Sequence, residues 1–433
     1  MTVAAVRLWG RQIGAVSLGA RRSHAAFQYT PEFVASGIQV SPLVMPLDER
    51  VYEFPALPRA TFRGLPGLLA DSLPDRFGNA LIDAWLASEG RTKEDFDAVE
   101  RLSYTGARGM GALEYEPAVF PRDGASRKLQ VEALVALASE VLSHREKLVS
   151  SFSDSAKSAA LSDMLKVGTS AGGGRAKAVI AWNPDTNEAR SGQVRAPEGF
   201  SYWLLKFDGV TGNRDRELED PTGYSAIEFA YSLMAKAAGI QMTECRLLEE
   251  NGRRHFMTKR FDRGERGEKV HMQTLGALAH LDFNAAGAHS YEEAFGVMRR
   301  LGLPMDQVEQ LFRRMLFNVV ARNQDDHVKN IAFLMDKAGR WRLSPAFDVT
   351  YAYDPSGTWT STHQMTLNGK RDGFSREDFV ACGKVASLKR GRAIAMLEEV
   401  TSVVKRWAEF AERGNVAAAQ AAAIGRVQRT GLG

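Results

Sequence analysis

Cysteine is scarce in this sequence, which has only Cys245 and Cys382 among 433 residues. Two cysteines so far apart cannot build a disulfide framework, and the eight histidines show no zinc-type pairing with them. The sequence therefore predicts a protein of the reducing cytoplasm without structural zinc.

Long apolar runs are also lacking. No stretch of about 18 apolar residues occurs, so we expect neither a membrane span nor a membrane partner. Arg7, Gly10 and Arg11 interrupt the first apolar runs, so no signal peptide is expected. The net charge is only +4, from 56 Lys plus Arg against 52 Asp plus Glu. Charge alone therefore does not indicate a nucleic-acid-binding protein.

What is present is a change of pattern along the chain. Residues 1–60 alternate short apolar runs with Gly and Pro, which is typical of hairpins. Helical spacing follows, and a Ser- and Ala-rich stretch at 149–163 precedes a glycine-rich loop and several strands. Beyond about residue 263 the spacing is mostly helical, and the Ala-rich C-terminal tail is expected to fray. The sequence predicts three units, at residues 1–125, 126–262 and 263–433.

The segment "NVVARNQDDHVKNIAFLMDKAGRWRLSPAFDVT", residues 318–350, places a polar loop between two apolar runs. Apolar residues before the loop recur with the period of a buried helix. They are Val308, Leu311, Phe312, Met315, Leu316, Val319 and Val320. After the loop, "IAFLM" and "WRLSP" flank the turn "DKAGR" and predict an antiparallel hairpin. This hairpin is expected to return Asp348 to the side of the polar loop.

Three side chains of this region suggest phosphoryl transfer. Asp325 and Asn330 have the spacing D-x-x-x-x-N, and Asp348 follows a strand. The catalytic carboxylate and the two Mg²⁺ ligands of kinases are arranged along the chain in this way. Magnesium prefers oxygen ligands and shares its shell with nucleotide phosphates, so Asn330 and Asp348 are the predicted metal ligands. Asp325 is predicted to accept the proton of an attacking hydroxyl. The alternative is a solvated helix exit with ordinary Asp and Asn caps.

The same loop holds two further candidates for the nucleotide site, His327 and Lys329. His327 is predicted either to touch a phosphate or to fix the loop by hydrogen bonds.

Upstream, "GTSAGGGRAKA" concentrates glycine at Gly168 and at three consecutive positions before a strand. Glycine lets backbone N–H groups approach an anion closely. No Gly-Lys-Ser/Thr follows, so this is not the loop of a P-loop NTPase. The alternative is a flexible turn. The predicted nucleotide-binding residues are Ala171, Gly172, Gly173, Gly174, Arg175, Ala176 and Lys177.

Lys206 ends the apolar strand "SYWLLKF", where a lysine requires a charged partner. Glu228 flanks the apolar stripe of the following helix and gives the Lys–Glu pair that positions nucleotide phosphates in kinases. The alternative is an exposed strand-end lysine and a surface glutamate. The order of these motifs along the chain predicts an α+β, bilobal, protein-kinase-like fold, with a β-rich N-terminal subdomain and a mostly α-helical C-terminal lobe.

In this order, "GTSAGGGRAKAVI", "WLLKF", "KRFDR", "NQDDHVKNIAFL" and "LSPAFDVTY" resemble the HipA family, the serine/threonine-kinase toxins of bacterial type II toxin-antitoxin systems. The resemblance covers nearly the whole chain. It implies ATP and Mg²⁺ as cofactors, with Asp325 as catalytic base. It also implies a hinge that meets adenine through its backbone, formed by Lys259, Arg260 and Phe261. Family members often carry an acidic residue where Lys259 stands.

The resemblance further implies that Ser170 is autophosphorylated. A phosphate would add about −1.5 to −2 charges beside the ATP phosphates and silence the enzyme. Thr169 and the serines of the 149–163 stretch are competing sites. The implied partners are a HipB-like antitoxin, operator DNA bound mainly through that antitoxin, and a protein substrate of the aminoacyl-tRNA synthetase type. The basic cluster "SLKRGR" at 387–392 either contacts DNA phosphates in such a complex or forms a solvated face.

The predicted function is therefore that of an ATP- and Mg²⁺-dependent protein serine/threonine kinase acting as the toxin of a toxin-antitoxin module. One alternative is a small-molecule phosphotransferase, which uses the same Asp, Asn and Asp side chains. The other is a catalytically silent antitoxin- and DNA-binding corepressor that keeps a kinase shape.

Overall fold

A computed structural model describes residues 1–119, 128–143, 164–165, 167–168, 175–193, 195–210 and 223–432. Among the helices of these residues, none combines the length and the apolar character needed to cross a membrane.

The N-terminal residues form the predicted antiparallel sheet. Its strands are β1 (Thr2–Leu8), β2 (Arg11–Leu18), β3 (Ala26–Tyr29), β4 (Val51–Glu53) and β5 (Leu113–Glu116), in the order β4-β3-β2-β1-β5. Apolar residues alternate along these strands, so one face of the sheet is buried, and Val6, Val16 and Phe27 are completely covered. The accompanying helices are α1 (Pro31–Val34), α2 (Arg59–Phe62), α3 (Gly67–Ala70), α4 (Arg76–Ser88) and α5 (Ala98–Thr105), with a 3₁₀ turn at Lys93–Asp95.

A second antiparallel sheet carries the nucleotide-site candidates. Its strands are β6 (Lys177–Asn183), β7 (Glu188–Ser191), β8 (Ser201–Lys206), β9 (Cys245–Glu250) and β10 (Arg253–Lys259), in the order β7-β6-β8-β10-β9. The helices α6 (Val131–Ser143) and α7 (Tyr224–Ala237) accompany it. Asn251 and Gly252, with φ of +47° and +74°, form the two-residue turn predicted between β9 and β10.

The apolar core of this second sheet includes residues from the N-terminal unit. Phe77 and Leu81 of α4 belong to the same buried cluster as Ala178 and Ile180 of β6. The boundary predicted near residue 125 stays a prediction, and this core extends across it. Helix α4 therefore supports the nucleotide-site sheet directly.

The C-terminal part is mainly helical, as predicted. Its helices are α8 (Leu275–Ala279), α9 (Tyr291–Arg300), α10 (Met305–Val320), α11 (Arg376–Val385), α12 (Arg392–Val404), α13 (Trp407–Arg413) and α14 (Ala418–Val427). The predicted hairpin is confirmed as β12 (Ala332–Met335) paired with β13 (Trp341–Leu343). A third strand, β11 (His271–Thr274), pairs with β12 and was not predicted. The fold is therefore α+β, with a β-rich N-terminal region and a helical C-terminal part.

Helix α10 delivers the polar loop to its place. Leu311, Phe312, Met315 and Leu316 are at most 1% exposed, so the predicted apolar face is buried in the C-terminal core. The helix ends at Val320, and the chain continues into the loop with Arg322 at φ +61°. Because rotation of this helix would expose its buried apolar face, the residues that follow it start from a rigid base.

The C-terminal tail is anchored, so the expectation that it frays is wrong. Trp407 Nε1 donates to the carbonyl of Ala421 at 2.9 Å, and Ile424 is 3% exposed. The backbone N–H of Arg429 donates to the carbonyl of Val320 at 2.9 Å. The tail therefore packs against the end of α10.

Candidate active site

The predicted pair between Lys206 and Glu228 is confirmed. Strand β8 ends at Lys206, and α7 places Glu228 about one turn from its start. Lys206 Nζ donates to Glu228 Oε1 at 2.6 Å, with side chains 7% and 2% exposed. Arg175 Nη1 donates to Oε2 of the same carboxylate at 2.9 Å. The alternative of two surface residues is therefore wrong, and the buried carboxylate holds two cations.

The returning hairpin brings Asp348 to the same lysine. Lys206 Nζ also donates to Asp348 Oδ1, and Asn323 Nδ2 donates to the Asp348 carbonyl at 3.5 Å. Asp348 has φ of +51°, a left-handed conformation that is uncommon for residues other than glycine. Burial alone would raise the pKa of Asp348, but the ammonium groups of Lys206 and Lys177 hold it below its usual value. The predicted return of Asp348 beside the polar loop is confirmed.

Asp325 lies in the loop between α10 and β12, with its side chain 37% exposed. Trp359 Nε1 donates to Asp325 Oδ1 at 2.6 Å, and Asn330 Nδ2 donates to the Asp325 carbonyl at 2.7 Å. His327 Nε2 lies 3.8 Å from Asp325 Oδ1. Burial raises the pKa of Asp325, with a smaller contribution from Asp348, while His327 and Trp359 oppose the increase. A carboxylate of raised pKa is a better acceptor for a hydroxyl proton.

A second network, made of hydrogen bonds to Asp326, supports this loop. Asp326 Oδ2 accepts from Tyr291 Oη at 2.7 Å and lies 2.8 Å from His363 Nδ1. Arg429 Nη1 lies 2.9 Å from His363 Nε2. Because a guanidinium only donates, Nε2 must accept, and Nδ1 therefore carries the proton that bonds to Asp326. Sequence reasoning missed this network because its members come from four distant segments.

The structure describes only some of the residues predicted around the glycine-rich segment. Arg175 pairs with Glu228 and stacks 4.7 Å above the Tyr224 ring. Ala176 is buried, and its carbonyl accepts from the Phe207 N–H at 3.0 Å. The predicted residues Ser170, Ala171, Gly172, Gly173 and Gly174, the competing Thr169, and the serines of 149–163 lie outside the described residues.

Lys177 is brought next to Lys206. The two residues lie opposite each other on β6 and β8, so both side chains point to the same face of the sheet. Lys177 is 2% exposed, and its Nζ lies 3.0 Å from Asp75 Oδ2. The sequence offered no signal for Asp75, which comes from the loop between α3 and α4.

Lys329 belongs to the same polar loop and faces the N-terminal region. Its Nζ is 4.6 Å from the centroid of the Phe283 ring, and it lines a small cavity with Thr61 and Asp71 of the N-terminal region. A phosphate contact by Lys329 stays a prediction.

The predicted hinge begins at Lys259, the last residue of β10. The N–H groups of Lys259 and Arg260 donate to the carbonyls of Glu244 and Tyr202 at 2.8 and 2.9 Å. An adenine contact would therefore have to use the carbonyls of this segment or the backbone of Phe261. The Phe261 ring lies 5.7 Å from that of Phe347, the neighbour of Asp348. The predicted hinge therefore lies next to the segment that carries Asp348.

The side chains of Asn330 and Asp348 suit magnesium chemically. Asn330 uses its Nδ2 toward Asp325, which directs its Oδ1 elsewhere, and Asp348 supplies a carboxylate. Both are hard oxygen donors of the type that Mg²⁺ prefers. Within the described ranges, no group of three or more His, Cys, Asp and Glu side chains could hold a metal by itself. A magnesium ion here would depend on phosphate and water oxygens for most of its shell.

Two models of known protein families match this chain. Residues 4–116 match the family model for the HipA N-terminal domain, and residues 169–407 match that for the HipA-like C-terminal domain. The putative kinase Y4mE of Sinorhizobium fredii is 28% identical over 131 residues. That match covers 28% of this chain and 31% of the relative, so the chain spans about a third of the length of this curated relative.

A solved structure covers almost the whole chain. It is HipA of Shewanella oneidensis MR-1, determined in complex with HipB and its operator DNA. The TM-score is 0.70 at 18% sequence identity, over 99% of this chain and 95% of that one. This likeness shows a shared fold.

Proposed function

The chain belongs to the HipA family, and we propose that it is an ATP- and Mg²⁺-dependent protein serine/threonine kinase. One observation carries the proposal: Lys206 bonds simultaneously to Glu228 of α7 and to Asp348 after β13. This contact joins the second sheet to the C-terminal part next to Asp325. Kinases require a lysine, a glutamate and a metal-binding aspartate in such an arrangement.

The chain's own residues would bind and orient the nucleotide. Lys206, held by Glu228, presents a buried ammonium to phosphate oxygens. Asn330 and Asp348 would hold Mg²⁺, which when bound neutralises charge on the transferred phosphate. Because ion pairs and a hydrogen bond hold Lys206, Asp348 and Asn330 in place, little reorganisation is needed at the moment of reaction.

Asp325 would act as the catalytic base. The Trp359 indole holds Oδ1, which leaves Oδ2 for the hydroxyl of a serine or threonine. The hydroxyl oxygen attacks the γ-phosphorus, the bond from that phosphorus to the ADP oxygen breaks, and the proton passes to Asp325. The 37% exposure of the side chain allows a protein segment to reach it.

Family membership supports the biological setting of the proposal. We propose that the chain is the toxin of a type II toxin-antitoxin module with a HipB-like antitoxin, which joins it to operator DNA. The complex formed by the Shewanella oneidensis HipA supports this choice of partners. The proposed substrate is a translation protein of the aminoacyl-tRNA synthetase type.

Autophosphorylation of Ser170 is the proposed means of self-inactivation. Ser170 falls between Gly168 and Arg175, and Arg175 contacts the same glutamate as Lys206. A phosphate of about −1.5 to −2 charges at this point of the chain would compete with ATP phosphates for these cations. Mass spectrometry of protein incubated with ATP would find the phosphate on Ser170, and a phosphate found only elsewhere would reject this part of the proposal.

The central test uses labelled ATP, Mg²⁺ and a cell lysate. Asp325→Asn should lower the rate of transfer by about 10²–10⁴-fold, the usual contribution of a general base, without changing thermal unfolding. Asp306→Asn, an exposed aspartate on α10, is the matched control and should transfer normally. Normal transfer by Asp325→Asn would reject the assignment. Label on sugars or antibiotics instead of protein would favour a small-molecule phosphotransferase, and ATP binding without turnover alongside operator binding would favour a silent corepressor.

A further inference from the structure

One loop of the N-terminal region reaches both of the other parts of the fold. It joins α3 to α4 and carries the carboxylates of Asp71 and Asp75. Asp71 accepts from the N–H and the Oγ1–H of Thr274 at 2.7 and 2.8 Å, where α8 begins. Asp75 Oδ1 accepts from the Gly78 N–H at 2.6 Å and caps α4, while Oδ2 faces Lys177 at 3.0 Å. The loop is therefore fixed at both carboxylates.

The position of Lys177 in the sheet explains why its ion pair with Asp75 matters. Lys177 lies directly opposite Lys206, which contacts Asp348. Two like charges opposite each other on neighbouring strands repel unless each has a counter-charge. Glu228 supplies it for Lys206, and Asp75 supplies it for Lys177. The side chains of Lys177 and Asp75 are 2% and 5% exposed, so water screens this pair very little.

Lys177 also lies near the candidate metal ligand. Its partner position on the neighbouring strand is Lys206, whose Nζ contacts the Asp348 carboxylate. An ammonium next to this contact lies within electrostatic reach of a phosphate held there. Asp75 holds Lys177 at this place through the 3.0 Å ion pair.

The same N-terminal region holds the chain just before the glycine-rich segment. Arg108, which follows α5, donates through Nη1 to the carbonyl of Leu165 at 2.8 Å. Gly168 packs so closely against α4 that a Cβ on it would lie 3.0 Å from Leu81 Cδ1. Described residues on both sides of that segment are therefore positioned by the N-terminal region.

We propose that Asp75 is a positioning residue for phosphoryl transfer, because it holds the Lys177 ammonium where the polyphosphate of the nucleotide meets Lys206 and Asp348. The inference rests on the proposed kinase function and extends it: the N-terminal region completes the nucleotide site. Asp75 does not contact the nucleotide and acts through Lys177.

The variant Asp75→Asn isolates the charge. Asparagine keeps an oxygen for the Gly78 N–H and is as good a helix cap as aspartate, so α4 should persist. Lys177 then loses this counter-charge and is drawn toward Asp348, which the opposite lysine, Lys206, contacts. We expect the affinity for a non-hydrolysable ATP analogue with Mg²⁺ to fall about tenfold, as happens when outer partners of a charged site are lost. Binding of adenosine, which has no phosphate, should not change.

The experiment is a double-mutant cycle measured by calorimetry on the full chain. Asp75→Asn, Lys177→Met and the double variant are titrated with the analogue and with adenosine. The double variant should bind the analogue no more weakly than Lys177→Met alone, since both changes remove the same contact. The control is Asp83→Asn, an aspartate of α4 that is 43% exposed and pairs with Arg101; it should bind like the wild type.

Several results would overturn the inference. They are wild-type affinity in Asp75→Asn, additive losses in the double variant, or equal losses for adenosine and the analogue, which indicate a merely structural pair. If Asp75→Asn does not fold, Asp75→Ser keeps a capping oxygen and answers the same question. A wild-type chain that binds no nucleotide would reject the proposed function itself, whereas normal wild-type binding with an unaffected Asp75→Asn rejects only this inference.

Discussion

The indole of Trp359 donates a 2.6 Å hydrogen bond from Nε1 to Oδ1 of Asp325. The carbonyl of Trp359 in turn accepts from Gln364 Nε2, and the Gln364 N–H donates to Asp326 at 2.8 Å. The segment after Asp348 therefore returns to the polar loop and fixes both of its aspartates. An indole can only donate, so this contact favours the ionised form of Asp325.

Replacing Trp359 with Phe should shift the pH dependence of the reaction. The pKa of Asp325 is already raised by burial, and the indole opposes that increase. Without the hydrogen bond the pKa rises further, so at a given pH less of the base is ionised. The acidic limb of the kcat profile should move to higher pH. Trp341→Phe, whose indole bonds to Gln39 away from the site, is the control. An unmoved profile, or one moved to lower pH, would contradict the role of this contact.

Replacing Glu228 with Gln should affect both stability and nucleotide affinity. Lys206 and Arg175 then share a buried neutral partner, and removal of one member of a buried ion pair costs about 3 kcal/mol of unfolding free energy. Lys206 retains Asp348, which becomes less available to a metal. Urea unfolding and the KM for ATP measure the two effects. Glu249→Gln, on the exposed face of β9, should change neither, and a Glu228→Gln variant with wild-type values for both would show that the pair is dispensable.

Replacing Arg429 with Gln should loosen the polar loop. Arg429 donates to the carbonyl of Val319 at 3.1 Å and lies 2.9 Å from His363 Nε2, which positions Asp326. Hydrogen bonds from charged groups contribute about 2 kcal/mol, so backbone amides of residues 323–330 should exchange their hydrogens faster. Arg426→Gln, exposed on α14 a few residues before Arg429, is the control. Unchanged exchange in that segment would mean that the tail does not support the loop.

Replacing Asp262 with Asn should destabilise the protein by about 3–5 kcal/mol, because it leaves buried guanidinium groups without a counter-charge. Asp262 Oδ2 accepts from Arg260 at 2.7 Å, Arg263 at 2.9 Å and the Gly111 N–H at 2.7 Å. Burial would raise the pKa of Asp262, but Arg260 and Arg263 hold it well below its usual value.

The pH dependence of this contribution has a definite sign. A carboxyl whose pKa is depressed on folding stabilises the native state at neutral pH, and the contribution is lost as pH falls below the ordinary aspartate pKa. The stability difference between wild type and Asp262→Asn should therefore shrink in acid. Chemical unfolding at neutral and acidic pH measures it, with the exposed Asp185→Asn as control. A difference that grows in acid would be inconsistent with the ionised pair.

Local patterns predicted much of the fold. The apolar period of α10, the turn at Asn251 and Gly252, and the β12–β13 hairpin depend on neighbours within a few residues, where spacing and backbone preference decide the outcome. The pair of Lys206 with Glu228 was predictable for a related reason. A lysine in an apolar strand requires a carboxylate, and the next helix offers one.

Predictions from local composition were wrong or incomplete where tertiary packing determines the structure. The Ala-rich tail reads as a fraying helix, yet Trp407 and Arg429 anchor it, because intrinsic preference contains no information on what a helix packs against. Strand β11 was missed for the same reason: its four residues gain their hydrogen bonds from β12, far along the chain.

The sequence by itself determined most of the elements that form, and it predicted a lysine, a glutamate, two aspartates and an asparagine at kinase-like positions. Only the tertiary structure decided which aspartate faces Lys177 and which indole holds Asp325. The physical reason is that side chains from distant segments meet only when whole elements pack. Before packing is known, any other aspartate or tryptophan of the chain is an equally suitable partner for Lys177 or Asp325.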